Sequence, residues 1–169
     1  MILKPQADEY APFAGTYVNL VDTTDVLGLL ARSKDSTYEF FSSMSDERAL
    51  YSYAEGKWTF KQVLGHMIDT ERTFAYRAFA FSRNNIELPG FDQDVYVANT
   101  DFNSQSIKDL ADEFKATRES NLCLYRAFTE DQLNREGIAS NHRVTVRALV
   151  YMTAGHELHH FNIIRERYL

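Results

Sequence analysis

Cysteine is almost absent from the 169 residues: Cys123 is the only one, which excludes an intrachain disulfide framework, a thiolate zinc ribbon and a CxxC redox centre and fits a reducing compartment. Proline and glycine are scarce as well. Three prolines (Pro5, Pro12, Pro89) and seven glycines leave long uninterrupted windows, which argues against a many-stranded β fold with frequent turns. No stretch approaches the roughly 20 apolar residues that span a bilayer, and the N-terminus lacks the basic-then-apolar order of a signal peptide, so the expected location is the cytoplasm. Positive charge is also in short supply. Eighteen Lys and Arg against 24 Asp and Glu give a net charge of −6, a field that opposes a polyanion and excludes nucleic acid as an expected partner.

What remains is a chain rich in core material, 44% hydrophobic with 12 Phe and 10 Tyr, of a length that suits one domain spanning residues 1–169. The pattern predicts an all-α protein. After an irregular N-terminal arm over residues 1–20, Val26, Leu27, Leu30, Ala31, Tyr38, Phe41 and Met44 recur at mostly helical spacing from about Thr24 onward. The second helix has the clearest start: Thr59 and Gln62 form a capping box, and Trp58 with Val63 supplies a hydrophobic staple. Val63, His66, Met67, Thr70, Phe74, Ala78 and Phe81 then trace one face until Asn84 and Asn85. A third helix runs from about Ser106 through Leu110, Phe114, Tyr125 and Phe128, and a fourth from about Thr145 almost to the C-terminus. The connections between the second and third and between the third and fourth helices are long, the latter with a short helix after Thr129. Such connections can travel the length of a bundle and join parallel neighbours.

Three of the five histidines fall within Gly155-His156-Glu157-Leu158-His159-His160. His156 and His160 are four residues apart, so their side chains share a helix face about 5–6 Å apart and can reach one cation. Leu149, Met152 and Ile163 occupy the same face, and His66 holds the equivalent place between Val63 and Thr70. Imidazole nitrogens unpaired in an apolar interior cost about 1–3 kcal/mol each, and one divalent ion relieves all three. Three His ligands leave a four-coordinate ion one open position, the mark of a catalytic site. His159 is one residue out of phase and points to a neighbouring helix or solvent. Gly155 permits close approach of a facing helix or a ligand, or is a tolerated packing glycine. Tyr51, Tyr53 and Trp58 are candidates for a pocket mouth. Thr59, Gln62, Asp69, Thr70 and Arg77 on the second helix, with Thr153 and Arg167 on the fourth, are candidates for its walls.

His156-Glu157-Leu158-His159-His160 also spells H-E-x-x-H, in which the Glu serves as general base of a metalloprotease. The metzincin extension would need Gly and His where this chain has Ile163 and Glu166, and only nine residues follow His160. A bundle metal site explains the match better. Glu157 stands as the one candidate catalytic base that the motif offers; its alternative is a solvent-facing or ligand-supporting carboxylate.

The segments Glu55-Gly56-Lys57-Trp58-Thr59, Leu64-Gly65-His66, Asp69-Thr70-Glu71-Arg72 and Ala154 to His160 together resemble the DinB-like (DNA-damage-inducible B) four-helix-bundle superfamily, over roughly residues 20–169. Leu88-Pro89-Gly90-Phe91 and Arg165-Glu166-Arg167-Tyr168-Leu169 fit the same pattern. The resemblance implies an up-down-down-up bundle, a metal triad of His66, His156 and His160, a zinc or nickel ion, and a homodimer. It further implies a small-molecule substrate and a metal-dependent transferase acting with a low-molecular-weight thiol. The alternatives are a metal-dependent hydrolase or a non-catalytic bundle that binds a metal or small ligand.

Overall fold

In the computed structural model, which describes all of residues 1–169, four long helices carry the architecture: α2 (Val26–Ser42), α4 (Phe60–Arg83), α6 (Ile107–Arg126) and α8 (Val146–Ile163). Between and before them lie α1 (Gly15–Val18), α3 (Asp46–Ala49), β1 (Glu87–Leu88), α5 (Gln93–Ala98), α7 (Glu130–Asn134), β2 (Glu136–Ala139) and β3 (His142–Thr145). α8 ends in one π-helical turn, Ile164–Tyr168.

Side chains fix where each long helix starts. The Thr59 hydroxyl accepts from the Gln62 backbone N–H at 3.2 Å while the Gln62 side chain accepts from the Thr59 N–H at 3.0 Å, the reciprocal box read from the sequence. Ser106 caps α6 through the Asp109 N–H, Thr145 caps α8 through the Ala148 N–H, and Asp25 caps α2 through the Gly28 N–H. Thr129 and Gln132 repeat the box at α7.

Cross-helix bonds give the arrangement. α4 and α6 meet start to start, with Lys61 donating to the Gln105 carbonyl at 2.6 Å and, further along, Arg118 donating to Glu71. α8 meets α4 end to start, because His160 lies against His66 and His156 against Phe74. α2 touches both α6, through Lys34 and Glu119, and α8, through Ser33 and Thr37 on Glu157. The apolar core is consequently two clusters. One gathers Val18, Leu30, Phe74, Phe81, Leu149 and Tyr151; the other gathers Phe41, Phe60, Leu64, Met67, Phe114 and Tyr168. Buried polar residues accompany these clusters, among them His66, Glu71, Arg118, His156, Glu157 and His160.

Two expectations need correction. The chain is not purely helical: β1 pairs parallel with β2, and β2 antiparallel with β3. These strands have two to four residues each, too short to show alternation, but Ser140 and Asn141 both take positive φ (53° and 63°), the two-residue hairpin turn that matches strand twist. The N-terminal arm, expected to be irregular, is two 3-10 turns and α1 anchored by burial of Ile2, Ala14, Val18 and Val21. Glu9 accepts two bonds of 2.6 Å from Arg147, and the Tyr151 hydroxyl donates to the Ile2 carbonyl at 3.0 Å. Gly155 explains the docking. A Cβ there would collide with the Tyr17 backbone, so the glycine lets the arm lie directly on α8.

Candidate metal centre

The capping box sets the register of α4, which brings His66 into the second turn facing α8; the Thr145 cap does the same for α8. His156 and His160 then stand one turn apart on the side that faces α4. The three Nε2 atoms form a nearly equilateral triangle: 3.0 Å from His66 to His156, 3.0 Å from His66 to His160 and 3.1 Å between the last two. In a tetrahedral site with metal–nitrogen bonds of about 2.0–2.1 Å, ligand nitrogens lie about 3.3–3.4 Å apart, so the donor set fits a divalent ion closely. Hydrogen bonding alone does not account for it, since a neutral imidazole has a single N–H and three nitrogens converging on one point cannot all donate and accept in line. Thr70 Oγ1 lies 3.4 Å from His66 Nδ1, in position to orient the ring.

All three histidines are buried. Burial, reinforced by neighbouring imidazoles, pushes the His66 pKa down to about 4 and that of His160 down to about 3, and holds His156 well below its usual value. The rings are therefore neutral near pH 7, the protonation state that binds metal.

Two cavities flank the triad. One of about 130 Å³ reaches His156 and is walled by Tyr17, Phe74, Leu149, Met152 and Arg77. A larger one of about 300 Å³ reaches His160 beside Tyr53, Lys57, Trp58, His159 and Tyr168, and Tyr17 borders it too. Tyr17 packs edge-on against His156 at 5.3 Å and His159 at 5.4 Å, while Trp58 lies tilted 4.9 Å from the His66 ring, so aromatic rings border the triad.

A family model described as the DinB superfamily matches residues 29–164. The chain belongs to the DinB superfamily. Among curated proteins it is 29% identical over 132 residues to "Putative metal-dependent hydrolase OB0413" of Oceanobacillus iheyensis, covering 75% of this chain and 74% of that one. Among solved structures it resembles YfiT of Bacillus subtilis, described as a probable metal-dependent hydrolase with an unusual four-helix bundle topology, with a TM-score of 0.76 at 17% identity over 83% of this chain and 82% of that one. A DinB-like protein of Bacillus subtilis, YjoA, superposes with a TM-score of 0.60 at 23% identity over 85% and 91% of the two chains. At these identities the superpositions speak for the fold.

In this DinB-superfamily chain the structure brings His66, His156 and His160 together and sets the other candidates apart. Glu157 is buried and does not line the cavity shared by Arg77 and His156, though it borders a much smaller pocket beside His156. Its carboxylate accepts from Thr37 at 2.5 Å, from Ser33 at 2.7 Å and from Arg118 at 2.9 Å. Arg118 in turn gives Glu71 a two-pronged contact of 2.6 and 2.7 Å, and Asn121 adds a bond of 3.2 Å. With its oxygens engaged in this way, Glu157 has the surroundings of a structural anchor and not of a free base. His159 is half-buried and stacks on Tyr17 and His160 outside the triad. His142 sits on the hairpin against Phe13. Thr70 and Arg77 do line the cavity at His156; Tyr53 and Trp58 line the one at His160; Tyr51 instead packs on Phe60 and Tyr168.

Sequence reasoning missed Tyr17, Glu71 and Arg118. Tyr17 lies in a segment without periodicity and carries no local signal. Arg118 was detectable: Leu110, Ala111, Phe114, Arg118 and Leu122 run at core spacing, and a charge in that stripe demands buried partners.

Proposed function

We propose that the protein is a metal-dependent hydrolase of small molecules, its divalent ion held by His66, His156 and His160. The observation that carries this reading is the triangle of three neutral nitrogens, 3.0–3.1 Å apart, with a cavity on either side. Imidazole donors suit zinc and nickel alike. Bound there with an open position, such an ion supplies a water acidified toward a pKa of about 7.

The chain's own residues do the rest. Burial keeps the imidazoles neutral, and Tyr17 and Trp58 fix their planes. The ion pairs of Arg118 with Glu71 and Glu157 lock α4, α6 and α8 in the register that makes the nitrogens converge. Glu157 thus acts as a positioning residue, one position along from the ligand His156. Apolar cavity walls receive the body of the substrate. The descriptions of the relatives favour hydrolysis over transfer to a low-molecular-weight thiol, which the family resemblance alone had suggested.

The test is elemental analysis of untagged protein together with turnover of an ester and amide panel, with and without added thiol. About one equivalent of metal in the parent, little in His156→Ala and His160→Ala, and thiol-independent hydrolysis lost in both variants are expected. Turnover only with thiol would move the protein to the transferase class. Full metal in a protein that turns over nothing, with metal loss lowering only the melting temperature, would make it a non-catalytic bundle.

A further inference from the structure

Three cationic side chains are buried: Lys61, Arg77 and Arg118. Lys61 faces Asp46 at 2.8 Å, and Arg118 faces Glu71 and Glu157. Arg77, only 7% exposed, forms no ion pair at all; its single hydrogen bond runs from Nη2 to the Pro89 carbonyl at 3.0 Å. Its Nε and Nη1 have no protein partner, yet no fully buried side-chain polar atom goes unsatisfied, so both open onto accessible space. Arg77 lines two such spaces, the cavity that ends at His156 and a more open groove around Pro89 and Phe91.

The cavity lining contains no acidic residue. Its other arginine, Arg143, already faces Glu136 and the Asp8 carbonyl. A buried guanidinium without a counter-ion is disfavoured, and a planar two-oxygen anion relieves it through two parallel bonds. One uncompensated positive charge matches one negative charge, which suits a carboxylate better than a dianionic phosphate monoester. Arg77 also sits at the far end of the cavity: Phe74, whose ring is 6.1 Å from His156, is almost one helical turn closer to the triad on the same helix.

We propose that this cavity binds an elongated, apolar monocarboxylate, with the carboxylate on Arg77, the chain along Phe74, Leu149 and Met152, and the opposite end at His156. The fate of that molecule rests on the hydrolase reading; its capture does not. Calorimetric titration of the metal-stripped protein with octanoate and with octanamide tests the capture alone. Octanoate should bind at least tenfold tighter, and added salt should narrow the gap. Arg77→Gln should erase the difference while leaving octanamide binding unchanged, and Arg77→Lys should retain part of it. Equal binding of the two ligands by the parent, a preference that persists in Arg77→Gln, or no binding of either would overturn the proposal. Octanohydroxamate titrated into zinc-loaded parent and His160→Ala reports the metal centre separately. Its failure to need zinc and His160, with the octanoate preference intact, would overturn the hydrolase reading and leave the carboxylate site standing.

Discussion

Two polar clusters lie back to back on α8, and adjacent residues belong to each: His156 to one, Glu157 to the other. Around Glu157 everything is matched. Arg118 divides its donors between two carboxylates, and hydroxyls and an amide take the remaining lone pairs. Around His156 no charges pair: three neutral imidazole nitrogens converge within 3.1 Å of one another, more than mutual hydrogen bonds can satisfy in line. Burial is equal in the two places, so burial alone says nothing about role. A network of paired charges stabilises register, whereas converging imidazole nitrogens make a candidate ligand set.

The contrast breaks first at Arg118. Arg118→Met leaves Glu71 and Glu157 buried without a cation, and urea denaturation should show a loss of about 3–5 kcal/mol. A loss below about 1 kcal/mol would mean that the network is not structural. Next comes the metal. At a free zinc concentration a thousandfold above Kd, the parent should gain about 4 kcal/mol in thermal unfolding, and His66→Ala should gain none. Without metal, His66→Ala should cost far less than Arg118→Met, since no charge is stranded.

Gly155→Ala sharpens the boundary between the triad and the arm. The collision with the Tyr17 backbone should cost about 1–3 kcal/mol, against about 1 kcal/mol returned by helix propensity, and limited proteolysis should find residues 1–20 more readily cut. The smallest effect belongs to the rim pair of Glu9 and Arg147. Burial raises the Glu9 pKa, but Arg147, the Gln6 N–H and Thr145 outweigh that and leave it below the ordinary 4.5. Its contribution is therefore present above about pH 4.5 and is lost as pH falls through the lower folded value; Glu9→Gln should flatten that acid limb of the stability profile.

Much of this was legible in one dimension. Capping residues Thr59, Ser106 and Thr145 begin three of the long helices where the sequence places them, because a cap needs only neighbours within a turn. The spacing of His156 and His160, and the phase of His66, mark three candidate ligands for the same reason. The hairpin was less legible, since its turn rests on Ser140 and Asn141 rather than on a glycine, and so was Arg77, whose buried isolation depends on which acids do not reach it.

Local chemistry, then, determined the helices, their starting points and the face on which each histidine would sit, because those depend on contacts between residues close in the chain. Only the tertiary structure decided that Glu157 would be claimed by α2 and α6, that Tyr17 would come from the arm to cover the triad, and that Arg77 would be left alone beside a cavity. Each of those outcomes depends on partners brought together from distant segments, and no periodicity records a partner that far away.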